Sequence, residues 1–427
     1  MKRYAITWFT ALALALSVLA SAAGLPSPNQ PAVSAANTNL DQFVNVNVPP
    51  DLGQAPVQVY FPQTQHSLRG YFLDYWRANG GASVYGYPIS EPFASADGYY
   101  SQAFENGIFQ FVLEMVWTDL PSVTLMSIGD TALDSRLDTF RTDERRGHGG
   151  DDRRSSSWKA VSAQGVTAVS AITEGGVWSE LTGHTMSGPI HDWYLTHEGP
   201  FYLGEPISQP LRERGLTVQY FEGAMLTMDD SGAVRMAPLG REMAPKLGID
   251  TTAIDGSGIP VYNDALFLPV GNPNPMGDLA TPGKKRIEIS ISEQRLWAYQ
   301  GDTLITTTLV STGLAPNDTE RGVFHVRYKL EKQDMAGTTN ASGEVVAMGE
   351  EAANAAGTGE AANQSAYTVD DVPHVMYFNY DAEALHGAYW HNNFGNRMSH
   401  GCVNLPLDMA QFLFGWAPLG TIVWVYD

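Results

Sequence analysis

From about Lys284 onward, apolar and polar residues alternate. Ile287, Ile289 and Ile291 fall on one face of the run Arg286 to Ser292, the period-two sign of a half-buried strand. The Gln300-Gly301-Asp302 turn returns the chain into Thr303 to Val310 and closes a hairpin. Strand-like runs recur at Val323 to Leu330, His374 to Asn379 and Thr421 to Tyr426. A helix is predicted after Leu407, with Asp408 near its start, through Gln411 to Trp416. One stretch breaks the pattern: residues 337 to 366 are mostly Gly, Ala, Asn, Glu and Ser, with too little apolar surface to order as core. It reads either as a flap over a site or as an idle surface insertion.

The N-terminal half contains a repeat. The segment HSLRGYFLDYWRANGGASVYGYPISEPF from His66 aligns with HTMSGPIHDWYLTHEGPFYLGEPISQPL from His184. Gly70 falls on Gly188, Asp74 on Asp192, and Gly86, Pro88, Ile89, Ser90 and Pro92 on Gly204, Pro206, Ile207, Ser208 and Pro210. With a one-residue slip, Phe104-Glu105 falls on Phe221-Glu222. Each unit is predicted as a short helix carrying aromatic residues, a Gly-Pro turn and a β-hairpin. Aromatic residues at this spacing either pack a small core or stack on sugars, and packing is the commoner use. The pattern of Trp, paired Gly, Gly-x-Pro-x-Ser and a closing aromatic-Gly-aromatic strand resembles, in outline, the LGFP-type repeats of bacterial exported proteins. That resemblance implies an association with cell-envelope glycan.

These segments set the expected organisation: a signal peptide at 1–23, a linker at 24–56, a first repeat unit at 57–140 and a linker at 141–157. A second repeat unit at 158–245, a linker at 246–283 and a C-terminal domain at 284–427 follow. A chain of 427 residues holds about two or three domains. Its 42 Gly and 25 Pro favour turn-rich β structure. The fold class expected is mainly β, with two small α+β units before the C-terminal domain. Lys2 and Arg3, the apolar run Ala5 to Leu19 and Ala20-Ser21-Ala22 read as an export signal cleaved near Ala23, with an uncleaved anchor as the other reading. A net charge of −21 repels polyanions, so no nucleic-acid partner is expected.

The only cysteine, Cys402, excludes an intrachain disulfide. It is either a buried, inert thiol or one kept for its chemistry. Its surroundings, 386-HGAYWHNNFGNRMSHGCVNL-405, favour chemistry. A thiol attacks well only after a base takes its proton, so Cys402 with His386 upstream is the minimum kit for acyl transfer. Gly401 leaves room for a substrate carbonyl, and peptide N–H groups at Gly401 and Cys402 are candidate oxyanion donors. His374, His386, His391 and His400 crowd the same region, but neither HExxH nor a carboxylate spacing accompanies them, and no metal site is expected.

With His386 and then Ser399-His400-Gly401-Cys402-Val403-Asn404, residues 284 to 427 resemble the L,D-transpeptidase catalytic domain, the YkuD family. The entry hairpin RIEISISEQRLWAYQGDTLITTTLVSTG is similar to that family's first strands. A further element, usually Thr-Pro-x-Gly-x-Phe, stands here as Thr319-Glu320-Arg321-Gly322-Val323-Phe324, with Glu320 in place of the Pro. The resemblance implies a β-sandwich with a mixed sheet, Cys402 as nucleophile and His386 as base, the latter oriented by the Gly387 carbonyl. Gly401 is then a backbone oxyanion donor, and Ser399, His400, Asn404, Tyr389 and Trp390 shape the substrate site. His391 is the substitute base. It further implies peptidoglycan stem peptides as partners (a tetrapeptide donor and an amine acceptor), carbapenem-type inhibitors, and no cofactor. A hydrolase using the same residues, and an envelope-binding protein with a degenerate domain, remain as alternatives.

Overall fold

The computed structural model describes residues 56–113, 115, 122–133, 176–268, 277–358, 361, 363–379 and 382–427. The expected signal segment, the 24–56 linker apart from its last residue, and the 141–157 linker lie outside the described residues.

In the first repeat unit β1 (Gln58–Phe61) pairs with β2 (His66–Arg69), and α1 (Gly70–Ala78) and α2 (Gly81–Tyr85) follow. β3 (Phe93–Ala94), β4 (Tyr100–Ala103), β5 (Ile108–Phe111) and β6 (Val123–Leu125) then form an antiparallel sheet in that order. Phe72, Leu73, Tyr75 and Trp76 make α1 amphipathic, since residues three and four apart share a face. The second unit repeats this plan. It has β7 (Val177–Trp178), β8 (Thr185–Met186), α3 (Gly188–Thr196) and α4 (Gly199–Tyr202), then a sheet of β9 (Leu211–Glu213), β10 (Leu216–Tyr220), β11 (Met225–Met228) and β12 (Val234–Met236). α5 (Leu239–Met243) ends it.

The residues that aligned in sequence do equivalent work in the two units. Ser90 Oγ accepts from Ala103 N–H at 3.0 Å, and Ser208 Oγ accepts from Tyr220 N–H at 2.9 Å. Gln102 donates to the carbonyls of Ser67 and Ser90, as Gln219 does to those of Thr185 and Ser208. The aromatic side chains are interior: Phe72, Tyr75, Trp76 and Phe109 of the first unit share one core with Tyr194, Tyr202 and Phe221 of the second. The two units also hold each other. Gly129 N–H donates to the Glu222 carbonyl at 2.7 Å, and Arg241 N–H to the Glu105 carbonyl at 2.9 Å. A Cβ on Gly129 would stand 1.8 Å from the Phe221 oxygen, and one on Gly240 2.1 Å from the Phe104 oxygen.

Part of the segment expected as a 246–283 linker runs along β1. Tyr60 N–H donates to the Pro260 carbonyl and Tyr262 N–H to that of Tyr60, while Tyr262 stacks on Phe61 at 5.2 Å. Tyr262 and Phe267 are the apolar anchors that fasten it.

The C-terminal domain is a sandwich of two mixed sheets. The first has the order β15-β14-β13-β22-β16, from β13 (Lys285–Ser290), β14 (Arg295–Gln300), β15 (Thr303–Leu309), β16 (Gly322–His325) and β22 (Ile422–Tyr426), with β13 and β22 parallel. The second has the order β18-β17-β19-β20-β21, from β17 (Tyr328–Thr339), β18 (Val345–Met348), β19 (Ser365–Tyr377), β20 (Ala384–Gly387) and β21 (Val403–Leu405). Ile287, Leu296 and Val423 of one sheet meet Met376, Leu385 and Val403 of the other, with Phe412, Leu413 and Trp416 of α7 (Leu407–Trp416) completing the core. The 337–366 stretch, too polar for core, instead extends β17 and β19 into a long hairpin arm with β18 and α6 (Glu350–Ala355) at its end. Backbone pairing needs no apolar side chain, which is why this composition forms strands here.

Both repeats are docked on this domain by ions. Lys285 Nζ donates to the Trp416 carbonyl at 3.0 Å and Lys329 Nζ to those of Ala417, at 2.9 Å, and Phe414. Arg77 of α1 reaches Gly415 O at 3.4 Å and lies 3.7 Å from Asp264. These cations meet the carbonyls that the end of α7 leaves without helical partners. Burial pushes the Lys285 and Lys329 amines down to about 7. From the second unit, Glu198 pairs with Lys284 and lies 3.0 Å from His325 Nε2.

Candidate active site

β20 and β21 are neighbouring parallel strands, with Leu385 opposite Val403 and His386 opposite Asn404. Since side chains alternate across a strand, burying Leu385 and Val403 in the sandwich core puts His386 and Asn404 on the reverse face. Cys402, just before β21, shares that face: it packs with Ala384, Val372 and Val375, edged by Met335, Val369 and Tyr377 of the arm. The thiol and the imidazole are thus diagonal neighbours on one surface of two paired strands.

His386 is 2% exposed, and its Nδ1 lies 3.2 Å from the Gly387 carbonyl, which leaves Nε2 as the proton-accepting atom. Burial pushes its imidazole down to about 4, partly opposed by the Gly387 carbonyl and assisted by nearby His391. The Cys402 thiol is pushed up to about 11, first by burial and then by Glu383, against a pull down from the Ala384 N–H. At neutral pH the pair is therefore an uncharged thiol beside an uncharged imidazole. Cys402 still keeps part of its surface open.

The 399–402 turn hangs from several short bonds. Thr319 Oγ1 accepts from Gly313 N–H and donates to the Gly401 carbonyl at 2.6 Å. Ser399 Oγ donates to the Cys402 carbonyl, and Ser311 and Asn404 exchange both main-chain bonds. The Gly401 N–H donates to Ser399 Oγ at 3.3 Å within the turn. Gly401 itself has φ +120°, a conformation a Cβ would strain.

Other residues singled out from sequence sit around this pair. Asn404 Nδ2 is 2.9 Å from His391 Nε2, and the exposed Trp390 ring lies 5.8 Å from that of His386. Tyr389 OH donates to the Asp370 carbonyl of the arm at 2.6 Å, and His400 stacks on Tyr367 of the arm at 4.8 Å. Asn317 holds the arm's tip through Gly343 and Val345. His374 turns elsewhere, 3.7 Å from Glu331. Among the described residues no three His, Cys, Asp or Glu side chains converge as a metal site. Sequence reasoning missed Tyr367, Tyr377 and Glu383; only Glu383 left a signal, a charge inside the apolar run that leads to His386.

Residues 284–425 match the model of the YkuD family, the L,D-transpeptidase catalytic domain, so the C-terminal third of the chain is a domain of that family. Similar solved structures include an L,D-transpeptidase in complex with imipenem, at 19% identity over 33% of this chain and 58% of that one, TM-score 0.26. An L,D-transpeptidase from Mycobacterium smegmatis matches at 17% identity over 34% and 60%, TM-score 0.26. The catalytic domain of an E. faecium L,D-transpeptidase acylated by ertapenem matches at 24% over 34% and 100%, TM-score 0.26. The chain spans under two thirds of the length of the first two. No curated protein matches it.

Proposed function

We propose that this protein is an exported L,D-transpeptidase that joins peptidoglycan stems through a thioester on Cys402. The observation that carries the reading is His386 and Cys402 on one face of adjacent strands within the segment that matches the L,D-transpeptidase family. Export rests on the N-terminal pattern of Lys2-Arg3, apolar run and Ala20-Ser21-Ala22.

In this scheme the carbonyl carbon of the third-position diaminoacid meets Cys402 Sγ. Because the resting pair is uncharged, His386 Nε2 takes the thiol proton as the S–C bond forms, and the Cys402 N–H steadies the oxyanion. An imidazole with so low an affinity for protons surrenders this one readily to the departing D-alanine amine. A side-chain amine of a second stem then attacks the thioester, returns the thiol and leaves a 3→3 cross-link. Trp390 and Tyr389, exposed beside the pair, are the surfaces for the stem.

The test is intact-mass analysis after incubation with a carbapenem, with product analysis on disaccharide-tetrapeptide. One adduct on the wild type, none on Cys402→Ser, and cross-linked dimers are expected. Labelling of Cys402→Ser would overturn the nucleophile, and tripeptide without dimers would replace transfer by hydrolysis. His386→Ala should slow acylation by about 10² to 10⁴-fold; a loss of that size in His391→Ala instead would move the base.

A further inference from the structure

Behind the 399–402 turn lies a carboxylate with no role in the scheme above. Glu383, 8% exposed, precedes the strand that carries His386. Its oxygens accept from the Glu320 N–H at 3.0 and 3.2 Å and from Asn379 Nδ2 at 2.7 Å, while its own N–H donates to Asn379 Oδ1 at 2.9 Å. With both oxygens acting as acceptors, it has the bonding pattern of a carboxylate. On its other side it abuts the turn: a Cβ on Gly401 would be 3.1 Å from Glu383 Oε1. Residue 320 can give this main-chain bond because it is not a proline, which has no N–H. Thr319, the preceding residue, holds the Gly401 carbonyl. One buried carboxylate therefore joins the 319–320 turn, Asn379 and the backbone of Gly401.

We propose that Glu383 is a positioning residue: its carboxylate, seated against the Gly401 backbone and bonded to the 319–320 turn and Asn379, fixes the Gly401–Cys402 turn and sets a negative charge next to it. The inference rests on Cys402 being the reactive group. Of the other titratable groups around this turn, Tyr367 and Tyr377 on β19 interact with the thiol, His386 lies diagonally across on β20, His391 bonds Asn404, His400 stacks on Tyr367, and Glu320 adjoins Glu383. Burial raises both tyrosines, Tyr377 to about 12. His386, His391 and His400 are held below their ordinary value and are neutral while the thiol titrates.

The experiment follows iodoacetamide alkylation of the only cysteine, by intact mass across pH 6 to 11, in the full chain and in Glu383→Gln and Glu383→Asp. Glu383→Gln keeps an acceptor for the Glu320 N–H and removes the charge. It should lower the pH midpoint, so that alkylation at a fixed pH below it runs about threefold faster or more, as expected for half a pKa unit. Glu383→Asp keeps the charge and shortens the reach; it should hold the wild-type midpoint while carbapenem acylation slows. An unchanged midpoint in folded Glu383→Gln, or a midpoint in Glu383→Asp that falls as in a neutral variant, overturns the proposal. Should Glu383→Gln not fold, the Glu383→Asp midpoint decides alone. Failure of the transpeptidase reading would show separately, as a wild type that alkylates as described but forms neither carbapenem adduct nor dimers.

Discussion

The two repeat units share an internal plan but differ in how they hold the catalytic domain. Inside, the correspondence is close: Ser90 and Ser208, Gln102 and Gln219, and Gly129 and Gly240 make matching contacts. At the joint it fails. Asp74 lies within electrostatic reach of Arg77, Lys285 and Lys329, whereas its counterpart Asp192 is exposed beside His191. Arg77 corresponds to Leu195, which points to solvent, and the second unit docks through Glu198, which corresponds to Gly80. Both Gly80 and Glu198 adopt positive φ, 95° and 50°. The glutamate accepts a strained backbone there and gains Lys284 and His325 as partners in return. Paired positions thus build the fold of a unit, and unpaired ones carry its attachment.

The comparison can be broken where it is tightest. Gly129→Ala and Gly240→Ala each drive a Cβ into a carbonyl oxygen of the other unit, and each should cost roughly 3 kcal/mol or more in denaturant unfolding. Costs that differ widely would show that the symmetry is geometric only. Next, Arg77→Ala strips a cation from a buried cluster and should lose about 3 kcal/mol, while Leu195→Ala at the matching place stays within about 0.5 kcal/mol.

Glu198 sharpens the contrast through pH. Burial alone would raise its carboxyl, but His325 and Lys284 hold it far below the ordinary 4.5. A depressed acid contributes stability above its unfolded value and loses it as pH falls. Glu198→Gln should therefore lose about 1–3 kcal/mol at pH 7 and flatten the decline in melting temperature below pH 4.5. A decline as steep as in the wild type would remove Glu198 from the joint. Among the buried positions the smallest losses are expected at Ser90→Ala and Ser208→Ala, about 1–2 kcal/mol each and equal, because each leaves one buried main-chain N–H unpaired.

What was legible in the sequence was local. Period-two alternation marked the entry strands, the Leu407–Trp416 helix carried its own apolar pattern, and His386 and Cys402 stood in one short segment. The repeat was visible because its glycines, prolines and polar network residues recur. The long arm was not, since 337–366 pairs through its backbone and leaves no apolar period. The joint was hidden too, and of the support under Cys402 only Glu383 left a trace, as a charge in an apolar run. Arg77, Lys285 and Lys329, or Thr319, Glu320 and Glu383, come from separated segments, and single charges within them carry no mark of their partners.

The reciprocal fastening of the repeats limits how the molecule can be dissected. The turn of each unit is covered by the stretch that leaves the other, through Gly129 in one direction and Arg241 in the reverse. Cutting the chain between them would strip each half of its lid and open a shared interior to water. The pair is thus a two-fold dimer written into a single polypeptide, to be handled as one piece.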